Sequence, residues 1–440
     1  MRAMKDSGIE WIGQVPESWE SRSLKFALDA HSGGVWGSNE GGDETDVICV
    51  RVADFDYAKL SVDFHDKMTI RSYTDKAIAE SSLKHGDILL EKSGGGEVTP
   101  VGRSVLFTGE EGMMCANFIE WLRPNQYFDS YFLNYWLAAA YINGFSKRNV
   151  KQTTGIQNLD IPAFLSEKIV APCVIEQKQI AQYLDEKCTE IDILIAAKEK
   201  TNALLKERRQ SIIYEAVTKG LNPDAPMKDS GIEWIGEIPE NWGIAALKRV
   251  AMPSTGMTPS KANSQYWEGD IPWFSSKDIK ADYLFDSEDH ISQQAVDECG
   301  LTVHDENSIV FCARSGILRH TFPVAVLKCK GTINQDLRVL ATSAAIDSEF
   351  LMYYLRGMNN TIVTLYQKVG ATVESIEMEW LLYLPVALPP VEEQKQIAEY
   401  IVARCNEIDS QIAANEVSVQ KLKQYRQSII YEVVTGKIEV

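Results

Sequence analysis

Signatures of catalysis and of metal binding are largely missing from this chain of 440 residues. The eight cysteines, at 49, 115, 173, 188, 299, 312, 329 and 405, form no C-x-x-C pair. Free, mostly buried thiols are therefore expected, and neither a zinc site nor a disulfide framework. The six histidines offer no H-x-x-x-H spacing and no triad-like neighbours. No N-P-P-Y or D-P-P-Y run is present to orient an exocyclic amine for methyl transfer. The segment 96–104, GEVTPVGRS, imitates a phosphate loop but has one residue too many between its glycines, Arg in place of Lys, and no following helix. Asp87, Glu91 and Lys92 have the composition of a nuclease centre without its E-x-K spacing. No run of 18 apolar residues exists, so a membrane span is not expected. The start, MRAMKDSGIEW, has no apolar secretory core, which points to a cytoplasmic location.

Basic charge is also scarce. The formal net charge of −18 argues at first sight against a nucleic-acid partner, because phosphates are neutralised by Lys and Arg. The distribution matters more. Residues 36–91 carry 12 acids against 6 bases, and residues 268–306 carry 11 against 2. Residues 130–159 contain no acid but include Lys147, Arg148 and Lys151. Residues 307–335 are likewise acid-free and include Arg314, Arg319, Lys328 and Lys330. Two readings stand: basic lobes facing an anionic partner, or buried strands from which acids are excluded anyway.

What the chain does have is repetition. MKDSGIEWIG at 4–13 returns letter for letter at 227–236. EQKQIAQYLDEKCTEID from Glu176 returns as EQKQIAEYIVARCNEID from Glu393, and RQSIIYEAVT from Arg209 as RQSIIYEVVT from Arg426. An opening motif, a variable region and a long helix are thus written twice. At this length, two globular units with connecting helices are expected. From Asn117 onward the halves align at a constant offset of 217, which pairs Lys151 with Lys368 and Pro172 with Pro389.

Within the variable regions, DVICVRV (46–52), GDILLEK (86–92), SIVFCAR (308–314) and FPVAVLKC (322–329) read as strands bounded by turn formers. Residues 128–142 and 348–358 read as short helices, and each half then passes through a proline-bearing extended piece. The strongest periodicity follows. Leu184, Ile191, Lys198, Leu205 and Ile212 are spaced by seven, with Cys188, Ile195, Asn202, Arg209 and Ala216 between them. The second half repeats the pattern with Ile401, Ile408, Asn415, Leu422 and Ile429, and with Cys405, Ile412, Val419, Arg426 and Val433. This is an a/d heptad seam, and two such helices in one chain most simply pair antiparallel, with their polar seam residues fixing register. The expected fold class is α+β: two similar mixed domains joined by two long helices in an antiparallel coiled coil, with pseudo-twofold symmetry. The alternative is that each helix packs only on its own domain. Expected boundaries are 1–173, 174–221, 222–390 and 391–440.

The motifs SGIEWIG-x-x-P-E-x-W at the opening of each half, and P-x-x-x-EQ-x-x-IA followed by EID and RQSII-x-E-x-VT at its close, resemble those of the specificity subunit of type I restriction–modification enzymes. The resemblance covers the whole chain. It implies two target-recognition domains, each reading one half of a bipartite site in double-stranded DNA. It also implies that two methyltransferase subunits and the restriction subunits carry the chemistry, with S-adenosylmethionine and ATP/Mg bound there and no cofactor or catalytic residue here. Candidate DNA-binding residues follow from loops that mix cations, hydroxyls and glycine. A basic–Ser–Gly turn follows a strand in each half: Lys92, Ser93 and Gly94 in the first, Arg314, Ser315 and Gly316 in the second. Such turns suit phosphate binding through main-chain N–H groups and a cation, or are plain strand ends. Further candidates are Arg103, Lys147, Arg148, Lys151, Gln152, Thr153, Thr258, Ser260, Lys261, Ser275, Ser276, Lys277, Arg319, His320 and Lys368. Arg314 is expected to meet phosphate and Arg319 a base edge. The reading that competes with a DNA-recognition subunit is a coiled-coil scaffold presenting two protein- or RNA-binding modules.

Overall fold

The computed structural model describes residues 2–96, 98–153, 156–368 and 373–440, leaving the side chains of Gln152 and Thr153 outside the description. Glu97 and Thr154, from segments singled out above, also lie outside the described residues. The chain divides into two units, Met1–Lys198 with Val417–Val440, and Glu199–Glu416. Each therefore takes part of both long helices.

The same sheet is built twice. In the first unit the strand order is Leu28–Gly33, Ile119–Pro124, Ile88–Glu91, Ser104–Leu106, Ser61–Val62 and Phe55–Asp56. In the second it is Ala251–Thr255, Leu337–Thr342, Ile309–Cys312, Val324–Leu327 and Tyr283–Leu284. Pairing is antiparallel through the centre, and one parallel pair recurs at the same place, Leu106 with Ser61 and Leu327 with Leu284. A smaller three-stranded sheet stands beside each: Met114–Cys115, Asp46–Val50 and Ile70–Ser72 in the first unit, and Asp289–Ile291, Ile271–Phe274 and Thr332–Ile333 in the second. The apolar runs expected to be strands are strands, and both proline-bearing pieces are strands too, Lys168–Ala171 and Pro385–Leu388.

One helix covers each large sheet: α1, Ser130–Ile142, in the first unit and α3, Ser348–Gly357, in the second. Asp129 and Asp347 cap them, each carboxylate accepting from the N–H of the first turn. These paired caps sit one residue out of the constant repeat register, because the halves also differ in length between helix and hairpin. Fully buried Phe132, Leu133 and Trp136, and their counterparts Phe350, Leu351 and Tyr354, join sheet and long-helix residues in one core per unit.

The long helices are α2, Val174–Lys219, and α4, Val391–Val434. In the first unit Leu184, Cys188 and Ile191 of α2 share a core with Ile429, Ile430 and Val433 of α4. In the second unit Ile213, Ala216 and Val217, near the end of α2, share a core with Ile397, Ile401 and Cys405, near the start of α4. In each unit the two segments thus pack in antiparallel order. Ile195, Leu205, Ile212 and Leu422 are half-buried, while Ile408, Ile412 and Val419 are buried, so no member of either heptad series is exposed. Within the second unit the Asn415 amide donates to Asn202 Oδ1 at 2.9 Å, a matched polar pair that penalises any slipped register.

The repeated letters turn out to be mutual fastenings. Lys5 Nζ donates to the Glu17 carbonyl and Lys228 Nζ to that of Glu240. The Asp6–Ser7 turn accepts from Gly8 N and Ile9 N, as Asp229–Ser230 does from Gly231 N and Ile232 N. Gly8, Gly13, Gly231 and Gly236 all have φ near +70°, which favours glycine. Buried Trp19 donates its indole N–H to Glu176, and Trp242 donates to Glu393. The Tyr431 hydroxyl donates to the Trp11 carbonyl, and that of Tyr214 to the Trp234 carbonyl. Gln177 and Gln394 each accept from the helix-capping Asp N–H and return two amide bonds to nearby carbonyls. The EID and RQSII motifs meet as ion pairs, Asp192 with Arg426 at 3.3 Å and Asp409 with Arg209 at 3.2 Å. The duplicated sequence is scaffold.

Candidate nucleic-acid interface

At one end of each large sheet, loops from separate strands converge. In the second unit Arg314 N–H donates to the Asp336 carbonyl, and Arg314 forms a β-bridge with Ser375. Lys368 N–H donates to the Ser375 carbonyl, so Arg314 and Lys368 flank Ser375. The Thr258 hydroxyl donates to Gln335 Oε1 at 2.5 Å, which ties the loop 256–268 to the same cluster. Asn334 N–H donates to the Phe274 carbonyl, bringing Ser275 and Ser276 alongside. Three loop segments that were separate candidates in sequence are thus one surface.

The first unit repeats this arrangement with other residues. Ser93 bridges Asn158, and the Ser93 hydroxyl donates to Asn158 Oδ1 at 2.6 Å. Lys151 pairs with Asn158 across the hairpin Val150–Thr153 and Ile156–Leu159, so Ser93 and Lys151 flank Asn158. Gly94, at φ +115°, donates its N–H to the Gln157 carbonyl. Gly34 and Gly256 let the neighbouring loops leave their strands. A Cβ on Gly34 would stand 2.3 Å from the Ala116 carbonyl oxygen, and one on Gly256 only 1.8 Å from that of Ile333.

Charge at these tips departs from the sequence expectation. The acid-free stretches are not acid-free in space. Much of them is core, including the strands Ile309–Cys312 and Val324–Leu327 and the buried side of α1. Most of their cations, and several of the candidate cations outside these stretches, are met by acids from elsewhere in the chain. Lys92 pairs with Glu120 at 3.0 Å, Arg103 with Glu91 at 3.2 Å, and Arg148 with Glu10 at 3.4 Å. Lys151 lies 2.5 Å from Asp160 and holds that carboxyl below its usual range through their hydrogen bond. Lys277 sits between Glu288 at 2.8 Å and Asp289 at 2.9 Å, whose hydrogen bonds push its pKa up. Lys328 and Lys330 pair with Glu349 and Asp305. Arg319 is hydrogen-bonded to Glu374 and holds that carboxyl below its usual range.

Arg103 also stacks over the Tyr57 ring at 3.6 Å and lines a cavity of about 190 Å³ with Tyr141 and Arg426, apart from Ser93 and Asn158. Ser275 is turned inward, its hydroxyl bonded to Asp278, and Ser315 caps the turn Gly316–Arg319. Among the described residues, Lys147, Lys261, Arg314 and Lys368 are exposed cations with no ion pair, and Lys261 lies 5.9 Å from the Trp267 ring centroid. His320 and Ser276 are exposed, and the Ser260 carbonyl accepts the Trp267 indole N–H. Asn158, Gln335 and Ser375 escaped the sequence reading, although the offset that pairs Lys151 with Lys368 also pairs Asn158 with Ser375.

Known proteins show the same organisation. Residues 239–415 match the family model described as type I restriction modification DNA specificity domain. The chain is 26% identical over 442 residues to the putative MjaX type I restriction enzyme specificity subunit of Methanocaldococcus jannaschii, covering 98% of this chain and 96% of that one. It is 27% identical over 244 residues to the EcoR124I/EcoR124II specificity subunit of Escherichia coli, a match spanning 55% of this chain and 56% of that protein. Among solved structures, a chain of a type I R-M system superposes with a TM-score of 0.74 at 15% identity, over 96% of this chain and 99% of that one. The HsdS subunit from Thermoanaerobacter tengcongensis gives 0.55 at 16% identity, over 96% and 98%. The duplicated scaffold, its two long helices and these likenesses agree: residues 239–415 match a type I restriction modification DNA specificity domain, and the chain is similar to type I restriction enzyme specificity subunits over nearly its whole length.

Proposed function

We propose that this chain reads a bipartite sequence in double-stranded DNA, one half-site per unit, and presents that DNA to partner methyltransferase and restriction subunits. The observation that carries the reading is the pair of loop clusters. They occupy the same topological position on a repeated scaffold and differ in nearly every side chain. A scaffold duplicated to this degree beneath divergent tips suits two independent readings of one kind of ligand. Rigid strands support the loops, and exposed Lys261, Arg314 and Lys368 supply phosphate and base-edge donors in the second unit. The polar tips, and no motif for methyl transfer or nucleotide hydrolysis, fit a non-catalytic role in which S-adenosylmethionine and ATP/Mg act on the partner subunits. Among the described residues no helix is long and apolar enough to cross a membrane.

The test is a gel shift of the purified chain with its methyltransferase partner on a library of split duplexes. Retention of one split sequence over scrambled ones is expected. Equal retention of all duplexes, or of none, overturns the proposal and favours a scaffold for other modules. Replacing residues 22–172 by the corresponding region of a relative should then change one half of the retained site and leave the other intact.

A further inference from the structure

The two tips place different chemistry at one equivalent position. In the second unit Arg314 is the cation left over: Glu374 is occupied by Arg319, and the Asp336 carboxylate accepts from the Gln335 amide at 3.3 Å. Its backbone is held on both sides, by the bond to the Asp336 carbonyl and the bridge to Ser375. Ser315, which follows, is fixed as the cap of a short turn, its hydroxyl accepting Ile317 N–H. Arg314 is thus an exposed guanidinium on a rigid stem, close to Thr258 and Gln335 through the Asp336 loop.

In the first unit the equivalent residue is Ser93, and the group that stands out is the exposed amide of Asn158. The Ser93 hydroxyl bonds its Oδ1, which leaves one lone pair and the whole NH₂ group unused. The flanking cation, Lys151, is engaged by Asp160. The two positions therefore offer different patterns to a base edge. A guanidinium fork matches the two acceptors O6 and N7 of guanine, whereas a carboxamide, donor beside acceptor, matches N7 and N6 of adenine.

We infer that Arg314 reads a G·C pair in the half-site of the second unit and that Asn158, oriented by Ser93, reads an A·T pair in the half-site of the first. This rests on the DNA-reading function proposed above and assigns its specificity to named side chains. It also reverses the sequence expectation for the arginines: Arg319 becomes the residue that keeps Glu374 away from Arg314, and Arg314 becomes the base reader.

The experiment is to express the full chain with its methyltransferase partner in a host lacking N6-adenine methylation, and to sequence the methylated sites. Wild type, Arg314→Lys, Arg314→Ala and Asn158→Ala are compared. Arg314→Lys keeps the charge and loses the fork, so both Arg314 variants should relax one G·C position about tenfold or more. The other half-site should not change. Asn158→Ala should relax one A·T position, other than the methylated one, in the opposite half-site. Relaxation at a different base, or methylation lowered at all sites with the motif unchanged, overturns the assignment while leaving the DNA-reading function standing. A wild-type chain that directs no bipartite motif overturns both.

Discussion

The two units differ least where they touch their own long helices and most where their loops meet solvent. Around the helices even single hydrogen bonds recur, such as Trp19 with Glu176 and Trp242 with Glu393. At the tips one unit holds Ser93, Asn158 and an ion-paired Lys151, and the other holds Arg314, Ser375 and an unpaired Lys368. Sequence identity between the halves therefore measures packing constraint. A buried indole bonded to a carboxylate tolerates almost no replacement, whereas an exposed tip residue is constrained only by its ligand.

The equivalence of the two scaffolds is open to a direct test. Trp19 and Trp242 are each about 1% exposed, and truncation of either to Ala leaves a large cavity and removes the indole bond to Glu176 or Glu393. Each should cost its own unit about 3–5 kcal/mol. The free, buried Cys115 and Cys312 report on the two units separately through their rates of thiol labelling. Trp19→Ala should accelerate labelling at Cys115 and leave Cys312 slow; Trp242→Ala should do the reverse. Acceleration of both by either change would show that the units do not open independently.

A smaller effect separates the two ion pairs. Arg426 meets Asp192 alone, whereas Arg209 meets Asp409 and also Asp282 at 3.5 Å. Asp192→Asn leaves the mostly buried Arg426 without a counter-charge, and Asp409→Asn leaves Arg209 with one. The first should therefore cost more, by about 1 kcal/mol once the partial exposure of both carboxylates is allowed for. Denaturant titration of the two variants measures the difference, and equal costs would mean that Asp282 contributes nothing to Arg209.

At the tips the comparison turns on Lys151 and Lys368, which align in sequence but differ in charge pairing. Lys368→Ala should weaken binding to all DNA sequences alike and reduce the slope of log affinity against log salt by about 1. Lys151→Ala should change the slope less, because Asp160 already neutralises that cation. Equal slopes for the two variants would place Lys368 away from phosphate.

How far the sequence was legible follows from the same contrast. The heptad seam, the strands Ile88–Glu91 and Ile309–Cys312, and the caps of α1 and α3 are local patterns of apolar spacing and turn formers, readable from a few neighbouring residues. The ion pairs at the tips are not local. Glu120 is 28 residues from Lys92, and Glu374 is 55 from Arg319. No window of sequence reveals that these acids fold back onto those cations. For the same reason the chain's cations look more available in sequence than they are, and Asn158, whose role depends on a bridge to Ser93, has no local mark at all.

The smallest expected effect is a pH dependence confined to the second unit. His304 lies at the edge of its small sheet, 7% exposed, paired through its backbone with Gly331. Its Nε2 is buried without a hydrogen-bond partner. Burial pushes its pKa below 6.5, and neighbouring Asp305, itself paired with Lys330, only partly opposes that shift. A base with a depressed pKa in the folded state takes up its proton more readily when unfolded. The stabilisation from keeping His304 neutral is therefore fully present above the unfolded value of 6.5 and is lost as pH falls from there towards the lower folded value. The first unit has no buried histidine among its described residues, since His31, His65 and His85 are all partly or fully exposed. Lowering pH from about 7.5 to about 5.5 should thus speed labelling at Cys312 relative to Cys115, after correction for the intrinsic pH dependence of the thiol reaction. His304→Gln, which cannot take up the proton, should flatten that change. If the pH response of the second unit persists unaltered in His304→Gln, another group in that unit carries it.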